Sequence, residues 1–225
     1  MGRQMKRRLS VFALLSLSLS LSLALTSSPA QAEMYVAGQV GVTFPHSLND
    51  VKWHDAGVTL KGNDLSLHNS VMYGGKLGYY FDSLKWLGLE TEIFNTTPNL
   101  KQQNITIAGV NLGTSSGADL RILTWAPVNL VVRYQMGALE PYAGVGLGVF
   151  FSRLSDGGPS RSSTDLGLNT QVGLRYRVTT NLALFGEWKF NHANLSYSNL
   201  PGSGGVDLSA DYNAHNLVFG VGYHF

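Results

Sequence analysis

This sequence predicts an all-β fold: an eight-stranded antiparallel up-and-down transmembrane barrel preceded by a cleaved signal peptide. Three observations carry that reading. The chain opens with a basic and then apolar leader, eight segments alternate in polarity with period two, and the connections between them are long and short by turns.

The leader comes first. Arg3, Lys6, Arg7 and Arg8 precede a stretch from Leu9 to Leu25 built only of Leu, Ser, Val, Phe and Ala. That is the charged and apolar order of a secretory signal. Ala30-Gln31-Ala32 then places Ala at the two positions a signal peptidase reads. Residues 1–32 are therefore read as signal peptide, cleaved after Ala32, and 33–225 as the barrel. An uncleaved anchor is the competing reading, since the apolar stretch approaches the ~17 residues needed to span a bilayer; its Ser content and the Ala-x-Ala site argue against it.

Cleavage removes four of the 16 Lys and Arg and none of the 14 Asp and Glu, leaving 12 against 14 and a net charge of −2. The basic balance of the whole chain thus belongs to the leader and predicts no nucleic-acid partner. With no Cys, disulfides and thiolate metal sites are excluded. After the leader no apolar run reaches helical spanning length. A soluble β-sandwich and a membrane barrel remain.

The segments alternate as strands with two unlike faces. Segment one sets Met34, Val36, Val40, Val42 and Phe44 against Tyr35, Ala37, Gln39, Gly41 and Thr43. Segment two sets Val71, Tyr73, Leu77, Tyr79 and Phe81 against Met72, Gly74, Lys76, Gly78 and Tyr80. Segment three sets Leu87, Leu89, Thr91 and Ile93 against Gly88, Glu90, Glu92 and Phe94. In segment four the apolar series Leu120, Ile122, Thr124, Ala126, Val128, Leu130, Val132, Tyr134 opposes Arg121, Trp125, Asn129, Arg133 and Gln135, and Pro127, which cannot donate a ladder bond, predicts a bulge or break. Segment five sets Ala143, Val145, Leu147, Val149 and Phe151 against Tyr142, Gly144, Gly146, Gly148 and Phe150. Segment six sets Leu166, Leu168, Val172, Leu174 and Tyr176 against Asn169, Gln171, Gly173, Arg175 and Arg177. Segment seven sets Leu182, Leu184, Trp188 and Phe190 against Ala183, Phe185, Glu187 and Lys189. Segment eight sets Leu217, Phe219, Val221, Tyr223 and Phe225 against Asn216, Val218, Gly220, Gly222 and His224.

The second faces mix Gly with charges, as the inner wall of a narrow barrel would. The apolar faces end in aromatics, as at an interfacial girdle. The apolar faces therefore point at lipid. Connections 45–69, 95–118, 153–165 and 192–213 are long and polar; 82–85, 135–140 and 179–181 are short. Outer-membrane barrels pair long extracellular loops with short periplasmic turns, which predicts both ends in the periplasm and the long loops outside and flexible.

The residues also carry a resemblance. Met34-Tyr35-Val36-Ala37-Gly38-Gln39-Val40-Gly41 resembles the first strand of the opacity-protein and outer-membrane-protein-A-like barrels. Leu139–Gly148 is similar to their fifth strand, and Gly186-Glu187-Trp188-Lys189-Phe190 to their seventh. The ending Val218–Phe225 resembles the terminal strand whose last aromatic, here Phe225, is read by the barrel-assembly machinery. The resemblance spans about 33 to 225 and implies a porin-like, cell-surface barrel of a Gram-negative outer membrane. It specifies architecture rather than activity, and the peptidoglycan-binding domain that follows many related barrels is not expected.

Chemistry is sparse. Asn191-His192-Ala193-Asn194-Leu195-Ser196 is similar to the His-x-Ser-Asn motif of the lipid A deacylases, in which His serves a Ser nucleophile, but position 194 is Asn. A polar strand-to-loop boundary is the simpler reading. His46, His54, His68, His215 and His224 show no metal spacing. Gly144-x-Gly146-x-Gly148 lies in an alternating strand and is a small-residue wall, not a phosphate loop. Trp53-His54-Asp55 reads as a binding site or as a rim anchor. No catalytic, cofactor-binding or metal-binding residue is assigned.

The inner face supplies the candidate site: Lys76, Glu90, Glu92, Arg175, Glu187 and Lys189, acids and bases confined together and expected to pair. With Lys76 nearly opposite position 91, Glu90 and Glu92 are its diagonal neighbours; Arg175 is diagonal to Glu187. The pairs act either as interior filling or as a gate. The expected function is a non-enzymatic surface barrel, monomeric, whose loops mediate adhesion, ligand contact or envelope integrity. The alternatives are a lipid A-modifying enzyme and a small low-conductance channel. Expected partners are outer-membrane lipid and lipopolysaccharide, the assembly machinery, and an extracellular ligand at the four long loops; no cofactor is expected.

Overall fold

The computed structural model describes residues 33–55, 58–155, 158–198 and 207–225. The leader 1–32 lies outside them. Among the described residues twelve strands run in chain order: β1 Glu33–Pro45, β2 Asn49–Asp55, β3 Val58–Lys61, β4 Ser70–Tyr80, β5 Leu87–Thr96, β6 Gln103–Ile107, β7 Val110–Ser115, β8 Asp119–Arg133, β9 Leu139–Ser155, β10 Arg161–Arg177, β11 Leu182–Tyr197 and β12 Asp207–His224. Eight of them, β1, β4, β5, β8, β9, β10, β11 and β12, pair antiparallel in that order, and β12 returns to β1 with Val36 opposite Tyr223 and Val42 opposite Leu217. Closure leaves none of these eight strands with an open edge where it crosses the bilayer, as hydrocarbon requires.

The lipid-facing series follow the alternation. Val40, Leu77, Val145, Leu147, Val172, Leu184 and Phe219 all stand exposed. A ring of exposed aromatics, Tyr79, Trp86, Tyr134, Tyr176, Tyr223 and Phe225, marks the end that carries the short turns.

Two expectations fail. In β8 the period does not run through: the register with β9 slips between Trp125 and Val128, at Pro127. A bulge adds one residue and exchanges the two faces. Leu120, Ile122, Thr124 and Ala126 are therefore buried inside, while Leu123 and Trp125 face out. Arg121 is exposed with them.

The long connections are also not loops throughout. β9 and β10 run to Ser155 and from Arg161, and β11 and β12 run to Tyr197 and from Asp207. At ~3.3 Å per residue, strands of 16 to 18 residues far exceed the ~9 to 11 that cross a bilayer. They continue as a β extension above it. The connection after β1 forms the hairpin β2–β3, and β2 takes the edge of β12 that β1 vacates, with Trp53 opposite Leu208. The connection after β5 forms β6–β7, closed by Ala108 and Gly109 at φ 50° and 81°, the twist a two-residue hairpin prefers.

The β extension has its own core. Leu48, Val51, Leu65 and Leu67 of the first connection are buried against Leu120, Ile122, Phe150, Leu195, Tyr197, Leu208 and Tyr212 from the inner wall. The first connection thus fills the upper mouth with apolar side chains.

Candidate functional site

All six predicted lumen residues are buried on the inner wall. Lys189 Nζ lies 2.8 Å from Glu92 and 3.1 Å from Glu187. Lys76 pairs with Glu187 and lies 3.3 Å from Glu90 and 3.8 Å from Glu92. Gln171 ties the halves together: its Oε1 accepts from Lys76 (3.0 Å) and Lys189 (2.7 Å) while its Nε2 donates to Glu90 (2.8 Å). Tyr35 donates to Glu90, and Tyr142 to Glu187 at 2.6 Å.

The expected register needs correction. Pairing runs inward from Tyr80 opposite Gly88, so Lys76 stands directly opposite Glu92, with Glu90 its diagonal. Arg175 is diagonal to Glu187 in register, since it faces Phe185 while Glu187 faces Gly173. The two do not pair. Arg175 lies opposite Glu140 on its other neighbour, reaches it at 3.5 Å, and sits over the rings of Tyr35 and Tyr142, 4.6 and 5.0 Å from their centroids.

Sequence reading passed over the second cluster, at the end with the short turns. Arg133 clasps Glu33 with two bonds of 2.9 and 2.7 Å. Arg177 pairs with both Glu33 and Glu140, the latter at 2.6 Å, and His224 Nδ1 meets Glu33 at 2.6 Å. The signal was present: Arg133 and Arg177 sit on the inner face by parity, and Glu33 and Glu140 lie two residues before Tyr35 and Tyr142. Together the clusters hold Lys76, Lys189, Arg133, Arg175 and Arg177 against Glu33, Glu90, Glu92, Glu140 and Glu187. Five bases meet five acids, as a lumen that cannot hold an uncompensated charge requires.

Above the ions runs a hoop of amides. Thr43 donates to Asn216 (2.6 Å), Asn216 to Asn191 (2.7 Å), Asn191 to Asn169 (2.7 Å) and Asn169 to Asn129 (2.9 Å). The hoop passes over β9 at Gly146, where a Cβ would overlap Asn129 Oδ1. Lower down, a Cβ at Gly78 would enter the ring of Tyr35. The small-residue positions make room for their neighbours' polar and aromatic side chains. The space bounded by Tyr35, Lys76, Tyr142, Arg175 and Glu187 is too narrow for a water molecule.

Residues 13–225 match the family model of the outer membrane protein beta-barrel domain. The chain belongs to this family. Like other outer-membrane β-barrels it is an integral protein of the outer membrane. Among solved structures it is similar to OprG from Pseudomonas aeruginosa (16% identity, 86% of this chain and 95% of that one, TM-score 0.58). It is also similar to Neisserial surface protein A (14%, 85% and 97%, 0.55) and to AlkL (19%, 89% and 93%, 0.53). At these identities the likeness is one of fold. No curated protein sequence matches.

The remaining candidates of this barrel are accounted for locally. His192 Nδ1 lies 2.8 Å from Asn213 Oδ1, and Ser196 donates to Asn194 at 3.4 Å, so each has a partner other than the dyad the deacylase motif would need. Trp53-His54-Asp55 lies in β2, where Trp53 packs on the upper core and His54 bridges Thr59 (3.0 Å) and Ser209 (3.2 Å). The segment fastens a hairpin. Beside it, the hydrogen bond from Lys52 holds the Asp50 carboxyl below its usual range. Phe225 is exposed on the lipid face and meets Tyr223 edge-on at 5.1 Å.

Proposed function

We propose that this barrel is a closed, non-enzymatic surface protein whose β extension is its contact surface. The observation that carries the reading is exposed apolar residue at a distance from lipid: Val58 and Leu60 on β3, and Val110 and Leu112 on β7, stand 37–63% exposed on the two hairpins above the barrel. Membrane burial does not account for them there; each pair lies two residues apart on one strand face, and it is such grouped, not singly scattered, apolar exposure that marks contact sites. An open polar recess of about 370 Å³ among His68, Asn99, Gly117, Asp119 and Ser155 adjoins the same extension. The test is binding of the full barrel in nanodiscs to a panel of extracellular matrix proteins and complement factors. A partner whose binding falls at least tenfold in Val110→Ser/Leu112→Ser supports the reading; binding unaffected by those changes overturns it.

The ion network and the apolar cap act as two seals in series, which favours structural filling over a gate. Planar-bilayer recordings of Glu90→Ala/Glu92→Ala are expected to stay at the wild-type conductance, because the cap of Leu48, Val51, Leu65 and Leu67 is untouched. Large new steps would establish the gate instead.

Cleavage after Ala32 and recognition of Phe225 by the assembly machinery belong to the same proposal. Their support is that the Glu33 carboxylate joins β1 to β8, β10 and β12, and that Phe225 is exposed beside Tyr223 on the lipid face. Intact mass of the membrane protein should correspond to a start at Glu33, and retention of Met1 would reject it.

A further inference from the structure

The structure assigns a lipid-phosphate site to the outer rim of β8 and β9, formed by Arg121 and Arg153. The alternation placed Arg121 in the lumen; the bulge at Pro127 turns it out, directly opposite Arg153 on the neighbouring strand. Both are exposed. Among the described residues neither guanidinium has an acidic or hydrogen-bonding partner; the nearby carboxylate on the same face, Asp119, accepts from Asn99 at 3.0 Å.

Like charges directly opposed across an antiparallel pair repel, with Cα atoms only ~4.5–5.5 Å apart. Two guanidiniums held so close, with no acid paired to them among the described residues, are complementary to one anion that each can bind with paired N–H groups.

Their depth names the anion. On β8 the outward apolar series runs from Val132 to Leu123, and on β9 from Ala143 to Phe151. Those ten and nine residues match the ~9–11 of one tilted crossing. Arg121 and Arg153 are the next outward positions on their strands, at the level where acyl chains give way to headgroups. Leu123 and Phe151 are opposite each other immediately below, with Trp125 one step deeper. An apolar floor under a paired cation fits a phosphate carried on acyl chains, that is, the glucosamine phosphate of lipid A in the outer leaflet, rather than free phosphate.

The rest of the rim differs. The outward residues at the upper edges of β10 and β11 are Ser162 and Thr164, and His192 and Asn194, and β12 presents Asp211 and Asn213. The site is one patch, not a basic collar. Ser162, opposite Arg153, offers a hydroxyl at its border.

The test uses the full barrel refolded in a neutral detergent, titrated with bisphosphorylated lipid A, with dephosphorylated lipid A and with inorganic phosphate. Binding is read by the temperature at which the folded, heat-modifiable band is lost. Bisphosphorylated lipid A should raise that temperature for wild type, and Arg121→Gln/Arg153→Gln should need at least tenfold more of it. Dephosphorylated lipid A should act equally on both proteins. The single variant Arg153→Gln sets the sign: without lipid A it should unfold no lower than wild type, because repulsion is relieved, and with lipid A it should unfold lower. Equal responses of wild type and double variant to bisphosphorylated lipid A would overturn the site. So would a wild-type response reproduced by millimolar inorganic phosphate, which would make it a free-anion site. A single variant destabilised equally with and without lipid A would show a structural role only and would also overturn it.

Discussion

Below the level of Asn191 the barrel is apolar outside and holds its ion pairs inside among aromatic and small apolar side chains, and above it the same strands are apolar inside and polar outside. β11 shows the reversal within one strand. Trp188 faces lipid while Glu187 and Lys189 are buried, yet a few residues on His192, Asn194 and Ser196 face out and Ala193, Leu195 and Tyr197 are buried. β12 repeats it, with Leu217, Phe219 and Val221 exposed below and Leu208, Ala210 and Tyr212 buried above. The backbone is continuous and the solvent is not: lipid rewards an apolar exterior and leaves polarity to the lumen, whereas water demands an ordinary core. One closed sheet thus supports two folding logics. The lower half is specified by ion pairing and the upper half by hydrophobic packing.

The sharpest way to break the comparison is to unbalance the lower half. Lys189 is fully buried between Glu92, Glu187 and Gln171. Lys189→Ala leaves acids without their cation, a change that costs about 3–5 kcal/mol in buried pairs. Urea unfolding in vesicles should register that loss. The double variant Glu92→Gln/Lys189→Met removes one charge of each sign and should cost clearly less than the two single changes added together. If the costs simply add, the lumen is not the coupled network described.

The eight crossings and their lipid faces were legible in the sequence because each face is read by one solvent over about ten residues. The reversal was not. A reader who equates apolar with lipid assigns Leu120, Ile122 and Ala126 outward, as the alternation suggested, and only the bulge at Pro127 and the height of these residues above the bilayer turn them in. For the same reason the stretch 192–198 reads as a polar loop, although Ala193, Leu195 and Tyr197 keep strand parity. In the lumen the charged residues could be found by parity, but their partners could not. Arg175 chooses Glu140 over Glu187 because register sets it directly opposite Glu140 on β9, and strand spacing alone does not fix register to one residue.

The upper half should fail differently. Leu195 is fully buried in the apolar core of the extension, and Leu195→Ala is expected to cost about 3 kcal/mol through lost burial and the cavity left behind. Because this core stands outside the membrane, the loss should appear as local opening. Protease added to intact cells should cut the first connection, 46–69, faster than in wild type, while the membrane-embedded barrel stays heat-modifiable. Collapse of the whole barrel would mean that the two halves fold as one unit.

The smallest expected effect depends on where one outward residue meets its solvent. Leu147 lies mid-way along the apolar series of β9 and is 65% exposed to lipid; Leu147→Arg places a charge near the bilayer centre, where such changes cost about 2–4 kcal/mol in outer-membrane barrels. Ser196 points outward too, but above the lipid on β11, and among the described residues its hydroxyl makes only the 3.4 Å bond to Asn194. Ser196→Arg should therefore shift stability by less than about 0.5 kcal/mol, as expected for an exposed position without a structural partner. Both substitutions add the same side chain to the outer wall of the same sheet, so their difference isolates the solvent. Unfolding free energies measured side by side in vesicles should differ by at least about 1.5 kcal/mol. Equal costs would place Ser196 in the bilayer, lowering the boundary between the two halves to the tip of the barrel and removing the extension as a separate region.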